Sequence, residues 1–140
     1  MTRRLTGYVA ALMAGMVLGY GSLTSAQATT IQPVKSWSGR VPLDERPPLQ
    51  SSIAKDGDWA RVWKQCRIEG PAPQVNFKKT LALVAVRRGS VVKFMSLNVE
   101  DGNLMTNVAV TADMPDYMSC AIVLVDRTGI KKVNGKPAGQ

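Results

Sequence analysis

LALVAVRRGSVVKFMSLNVEDGNLMTNVAVTA, residues 81–112, sets apolar runs around two turn signals, and its reading decides the fold class. Asp101-Gly102 is the stronger signal, because a tight two-residue hairpin turn favours residues that tolerate positive φ. Gly89-Ser90 suits a type II′ loop, which wants glycine first. The spacing predicts strands over residues 81–88, 91–100 and 103–112. A two-residue loop at 101–102 pairs Val99 with Leu104, Leu97 with Thr106 and Met95 with Val108. A similar loop at 89–90 pairs Val84 with Met95 and Ala82 with Leu97. Opposed side chains share a face. Ala82, Val84, Val86, Met95, Leu97, Val99, Leu104, Val108 and Val110 therefore fall on one side, broken by Lys93 and Thr106. Leu83, Ala85, Arg87, Phe94, Ser96, Asn98, Asn107 and Thr111 make a mixed face, read as half exposed.

Downstream, a fourth strand is expected over residues 117–125, where the run from Cys120 to Val125 is apolar on both faces and so belongs in a central position. Asp126 to Gly129 turns, residues 130–133 add a short edge strand, and 135–140 read as a frayed tail. Upstream, Trp59, Val62, Trp63 and Cys66 recur at i, i+3, i+4 and i+7, the stripe of an amphipathic helix capped by Asp56 or Asp58. That spacing turns Cys66 inward with the tryptophans, whose pairing is core packing rather than a ligand box. Gly70-Pro71-Ala72-Pro73 ends the segment. Residues 29–50 form an extended segment, with a short strand near 34–41, Trp37 over one edge of the core, and a linker held open by Pro42, Pro47 and Pro48. The fold class is α+β: one small domain over residues 51–134, an antiparallel sheet of about four to six strands with one packed N-terminal helix.

Residues 1–28 bear on compartment. Arg3 and Arg4 precede an uncharged stretch from Leu5 to Leu23, and Ala26-Gln27-Ala28 offers a small-x-small cleavage pattern. Glycines 7, 15, 19 and 21 interrupt the run, which suits a cleaved signal peptide better than an uncleaved anchor, the competing reading. Cleavage leaves 112 residues beginning at Thr29, with no stable membrane span, in a periplasmic or secreted location. There Cys66 and Cys120 are expected to form a disulfide rather than stay separate buried thiols.

The net charge is +8 for the whole chain and +6 after cleavage, which favours loose attraction to anionic envelope polymers or acidic proteins. No basic helix or aromatic-interleaved stripe points to specific nucleic-acid binding. The candidate interaction surface is the basic and turn set Arg87, Arg88, Gly89, Lys93, Lys131 and Lys132. The chain has no histidine, so Ser-His, Cys-His and zinc-hydrolase chemistry lose their usual base and ligand. Asp113 and Asp116 are the one acidic pair without a structural job, a weak acid–base or calcium signal. The reading is of a non-enzyme, with no cofactor and no metal.

Trp37-Ser38-Gly39, then Ile53 ahead of Asp58-Trp59 and Trp63, then Val75-Asn76-Phe77 entering an apolar strand, resembles the PrcB-type protease-complex subunit family. The likeness covers about residues 53–125. Asn76 stands where the family usually has aspartate, and its longer Gly-Gly-Tyr turn is here Arg87-Arg88-Gly89-Ser90. The resemblance implies an exported accessory protein without catalytic residues. The expected partner is another exported or envelope protein, with a protease as one class. The alternative is a basic module on anionic envelope polymers.

Overall fold

The computed structural model describes residues 27–140, so the predicted signal segment lies outside the described residues apart from Gln27 and Ala28. In chain order the elements are β1 (Thr29–Thr30), β2 (Lys35–Pro42), β3 (Ser52–Ile53), α1 (Asp56–Gln65), β4 (Thr80–Arg88), β5 (Val92–Glu100), β6 (Asn103–Val110), β7 (Tyr117–Asp126), β8 (Lys132–Val133) and β9 (Lys136–Pro137). They make two sheets, ordered β1-β5-β6-β8-β9 and β2-β7-β4-β3. Every neighbouring pair is antiparallel except β6 with β8. The class is α+β, as the sequence predicts, but the strands divide between two layers.

Strand β7 is central, between β2 and β4. Its pairing with β4 runs from Thr80 opposite Asp126 to Arg88 opposite Met118. Both strands are apolar on both faces, so each face needs its own cover. On one side Ala82, Val84, Cys120, Ile122 and Leu124 pack against Trp59, Val62, Trp63 and Cys66 of the helix region. On the other, Leu81, Leu83, Val123 and Val125 pack against Leu97 and Leu104 of the second sheet. The molecule is thus layered helix, sheet, sheet.

This arrangement overturns the predicted hairpin at Gly89-Ser90. Strands β4 and β5 lie in different sheets, Val84 pairs with Ile122 rather than Met95, and Ala82 pairs with Leu124 rather than Leu97. The common face splits accordingly: Ala82 and Val84 meet the helix, whereas Leu97 and Leu104 meet the other side of the central pair. Leu83 and Ala85, read as half exposed, are buried. The hairpin at Asp101-Gly102 forms with the predicted pairs Val99–Leu104 and Leu97–Thr106. A bulge at Met95 then shifts the register, so Phe94 takes the place opposite Val108.

The helix begins at Asp56 with Lys55 in the cap position and no side-chain cap. Asp56 and Asp58 lie inside the first turn, where their charge suits the dipole instead of capping the end. The indole Nε1 of Trp59 donates to Pro73 O at 2.9 Å, and that of Trp63 to Gly70 O at 3.0 Å, which ties the proline-rich stretch beneath the helix. Trp37 completes the aromatic cluster, its ring 5.8 Å from Trp59 and 5.2 Å from Trp63. The C-terminal segment is docked rather than frayed: Lys136–Pro137 pair with β8, Ala138 packs on the second core, and Gly139 N donates to Ser52 Oγ at 2.7 Å.

Cys66 and Cys120 are joined by a disulfide, with Cα atoms 5.9 Å apart, so the helix end is stapled to the middle of β7. Gly39 stands opposite Cys120, and a β-carbon there would overlap the Cys66 carbonyl oxygen. Two stability effects are therefore expected in denaturant titrations. Gly39→Ala should cost about 3 kcal/mol through overpacking. Reduction of the bridge should cost about 4 kcal/mol from the loop it closes.

Candidate interaction surface

The structure separates the six basic and turn residues chosen from sequence. Arg87 and Arg88 end β4 and Gly89 follows it, with Lys93 near the start of β5. Lys131 and Lys132 sit at the far end of that strand, their backbone N–H groups donating to Gly102 O at 2.8 and 3.0 Å. Lys93 and Glu100 stand seven steps apart along β5, about 23 Å at strand rise, so the two groups form no single patch. The sheet instead gathers a residue that sequence reasoning passed over. Arg40 on β2 and Arg87 on β4 both stand opposite Ser119. The Arg40 guanidinium lies 4.7 Å from the centre of the Tyr117 ring, and Arg88 Nε donates to Pro115 O at 3.1 Å. Arg40 has no basic neighbour in sequence, so only the strand register reveals it.

Gly89 and Ser90 make a corner that carries the chain from one sheet to the other. The Ser119 hydroxyl donates to Gly89 O at 2.6 Å from a buried position. Asp113 closes the corner. Its carboxylate accepts from Ser90 N at 3.0 Å and from the hydroxyls of Ser90 and Thr111. Thr111 N also donates to Val91 O at 3.1 Å, which fixes the start of β5. The aspartate left without a task in sequence thus serves as a clamp. These contacts, the Ser90 hydroxyl first, then the Thr111 hydroxyl and the Ser90 N–H, hold its pKa down to about 2. Asp116 joins no such contact, and no group of three His, Cys, Asp or Glu among the described residues could hold a metal ion.

Beside this corner lies a groove of about 550 Å³ between the two sheets. One wall is the edge of β5, the other the edge of β2. Strand β1 covers β5 only at Asn98 and Val99, and Ile31 N extends the contact with a bond to Leu97 O at 2.9 Å. Among the described residues, 92–96 have no strand partner on the side away from β6. Pro33 helps explain why: it has no N–H to offer, and by Val34 the chain has crossed to the other sheet, donating to Leu124 O at 2.7 Å. Ile31, Val92, Phe94, Met95 and Ala121 give the groove its apolar lining, Ser36 and Ser38 form the β2 side, and Lys93 is the one charged residue among the described residues that line it. Met95 is 60% exposed and Val91, four residues earlier, 55%.

No protein-family model matches the chain, and no curated protein or solved structure matches it either.

The clamp has a pH signature whose sign follows from the lowered pKa. A carboxylate depressed in the folded state adds stability above its ordinary value of 3.8, and loses it as pH falls toward about 2. Asp126 is lowered as well, first by the Thr128 hydroxyl and then by its N–H, so a single variant is needed to isolate the corner. Asp113→Asn is expected to flatten the fall in melting temperature between pH 4 and pH 2, and to speed amide exchange at Ser90 and Val91 at neutral pH. Calorimetry across that pH range and hydrogen-exchange mass spectrometry check the two effects.

Proposed function

We propose that the mature chain is an exported, non-catalytic interaction domain that docks on another exported or envelope protein. One observation carries this reading: an apolar groove flanked by sheet edges that the chain's own strands leave uncovered. Folded domains usually cover or blunt such edges, because unpaired N–H and C=O groups recruit other strands. Apolar side chains gathered around one are a mark of a binding surface.

Export has separate support. The Cys66–Cys120 bridge is of the kind that persists in oxidising compartments, and residues 1–28 carry the charge, apolar core and cleavage pattern of a signal peptide. No helix among the described residues is long and apolar enough to cross a membrane. The resemblance to PrcB-type subunits adds a protease as one class of partner. A second reading, weak binding of anionic envelope polymers, draws on Arg40, Arg87 and Arg88 gathered at one end of the central sheet.

The intact mass of the exported protein is expected to begin at Thr29 and to show no free thiol; a retained leader would overturn the cleavage reading. Crosslinking in the native secreted or envelope fraction is expected to trap the same protein reproducibly with the unmodified chain. Repeated failure to trap any protein, together with salt-sensitive retention on a sulfated polysaccharide, would replace the interaction reading with the polymer one.

A further inference from the structure

Building on the interaction reading above, we propose that the groove receives its partner as an added β-strand. The occupant is an extended, acidic segment of another protein, hydrogen-bonded to β5 at residues 92–96 and carrying a carboxylate against Lys93.

The backbone supplies the first argument. Strand β1 already lies along this edge, pairing Thr29 and Thr30 with Val99 and Asn98, and Ile31 continues it by one bond. The chain then leaves at Pro33 for the other sheet. An added strand would take up the same line where β1 abandons it, over five residues or about 16 Å. Backbone groups on that side, turned away from β6, are those a strand-adding peptide uses.

The walls supply the second. A strand presents alternate side chains to opposite faces. One set would enter the slot between Ser36 and Ser38 of β2 and Phe94 and Ala121, while the other would pass over Met95 toward water.

Charge selects the occupant. The mature chain carries +6, and Lys93 is the one charge among the described residues of the lining. A second copy pairing through the same edge would bring net-positive chains and their lysines together. A lysine on an edge strand is a device against self-pairing. Here the same lysine that repels a copy attracts a carboxylate, so the edge is closed to its own kind and open to an acidic strand.

The test titrates the isotope-labelled exported chain with two synthetic peptides of about eight residues, a common strand length. One alternates valine with glutamate, the other valine with lysine. The expected result is slowed amide exchange and shifted resonances at residues 92–96, with the glutamate peptide bound about fivefold tighter, the size of an exposed charge contact. Lys93→Glu should reverse that order, and Met95→Glu should weaken the glutamate peptide by a similar factor. Both positions are exposed, and unchanged thermal unfolding of each variant confirms that the fold is kept. Binding that perturbs other amides, a charge order unmoved by Lys93→Glu, or concentration-dependent dimers formed through residues 92–96 would each overturn strand addition. A crosslinked natural partner retained undiminished by Met95→Glu would also overturn it, while leaving the interaction reading intact. Peptide binding as described, with no natural partner ever trapped, would uphold the edge chemistry and remove the interaction reading instead.

Discussion

Strands β4 and β7 pair along nearly their whole lengths, and neither of the faces they create can be left to water. Leu81, Leu83, Ile122 and Val125 are among the most deeply buried side chains, and they point to opposite sides of the same pair. Burying a side chain of this type contributes about 1.5–3 kcal/mol, so an uncovered face would forfeit much of a small domain's stability. The helix covers one face and the second sheet the other. The disulfide then fixes the helix cover in place, and Gly39 lets β2 pass beneath the helix end without a clash.

The groove follows from this arrangement. Had residues 81–100 folded as one hairpin, β5 would be flanked by β4 and β6 and would have no free edge. Because β7 takes β4 as its partner, β5 leads the second sheet with only the two residues of β1 along its outer side. The Ser90–Asp113 corner holds the start of that strand against the central sheet, where Val92 packs with Ala85 and Ala121. The proposed binding edge is thus a product of how the core chooses its pairs, and not of any residue that sequence motifs would mark.

Much of the fold was legible because its signals are local. Asp101-Gly102 adopts positive φ at both positions and makes the turn it promises, and the Trp59–Val62–Trp63–Cys66 stripe becomes the buried helix face. Gly89-Ser90 misled because a turn-like dipeptide does not say which strand its neighbour will pair with. The contrary signal was present in Leu81 to Val86, an unbroken apolar run of the kind that marks a strand covered on both faces, as it did for Cys120 to Val125. The Met95 bulge, the Asp113 clamp and the docking of residues 136–139 depend on contacts distant in sequence, so no local pattern announces them. The basic set was chosen by adjacency in the chain. Tertiary register divides it and substitutes Arg40.

The same topology sets how fast the molecule can form. In the central sheet Lys35 lies beside Leu124, and in the other sheet Thr29 lies beside Val99, so most of the chain must be present before either sheet can close. Ordering such distant segments costs loop entropy before any burial offsets it. A domain dominated by these non-local pairings belongs with the slow folders, on the millisecond-to-second scale. Folding therefore waits on β5 and β7, and a nascent chain that has not yet produced them can close neither sheet.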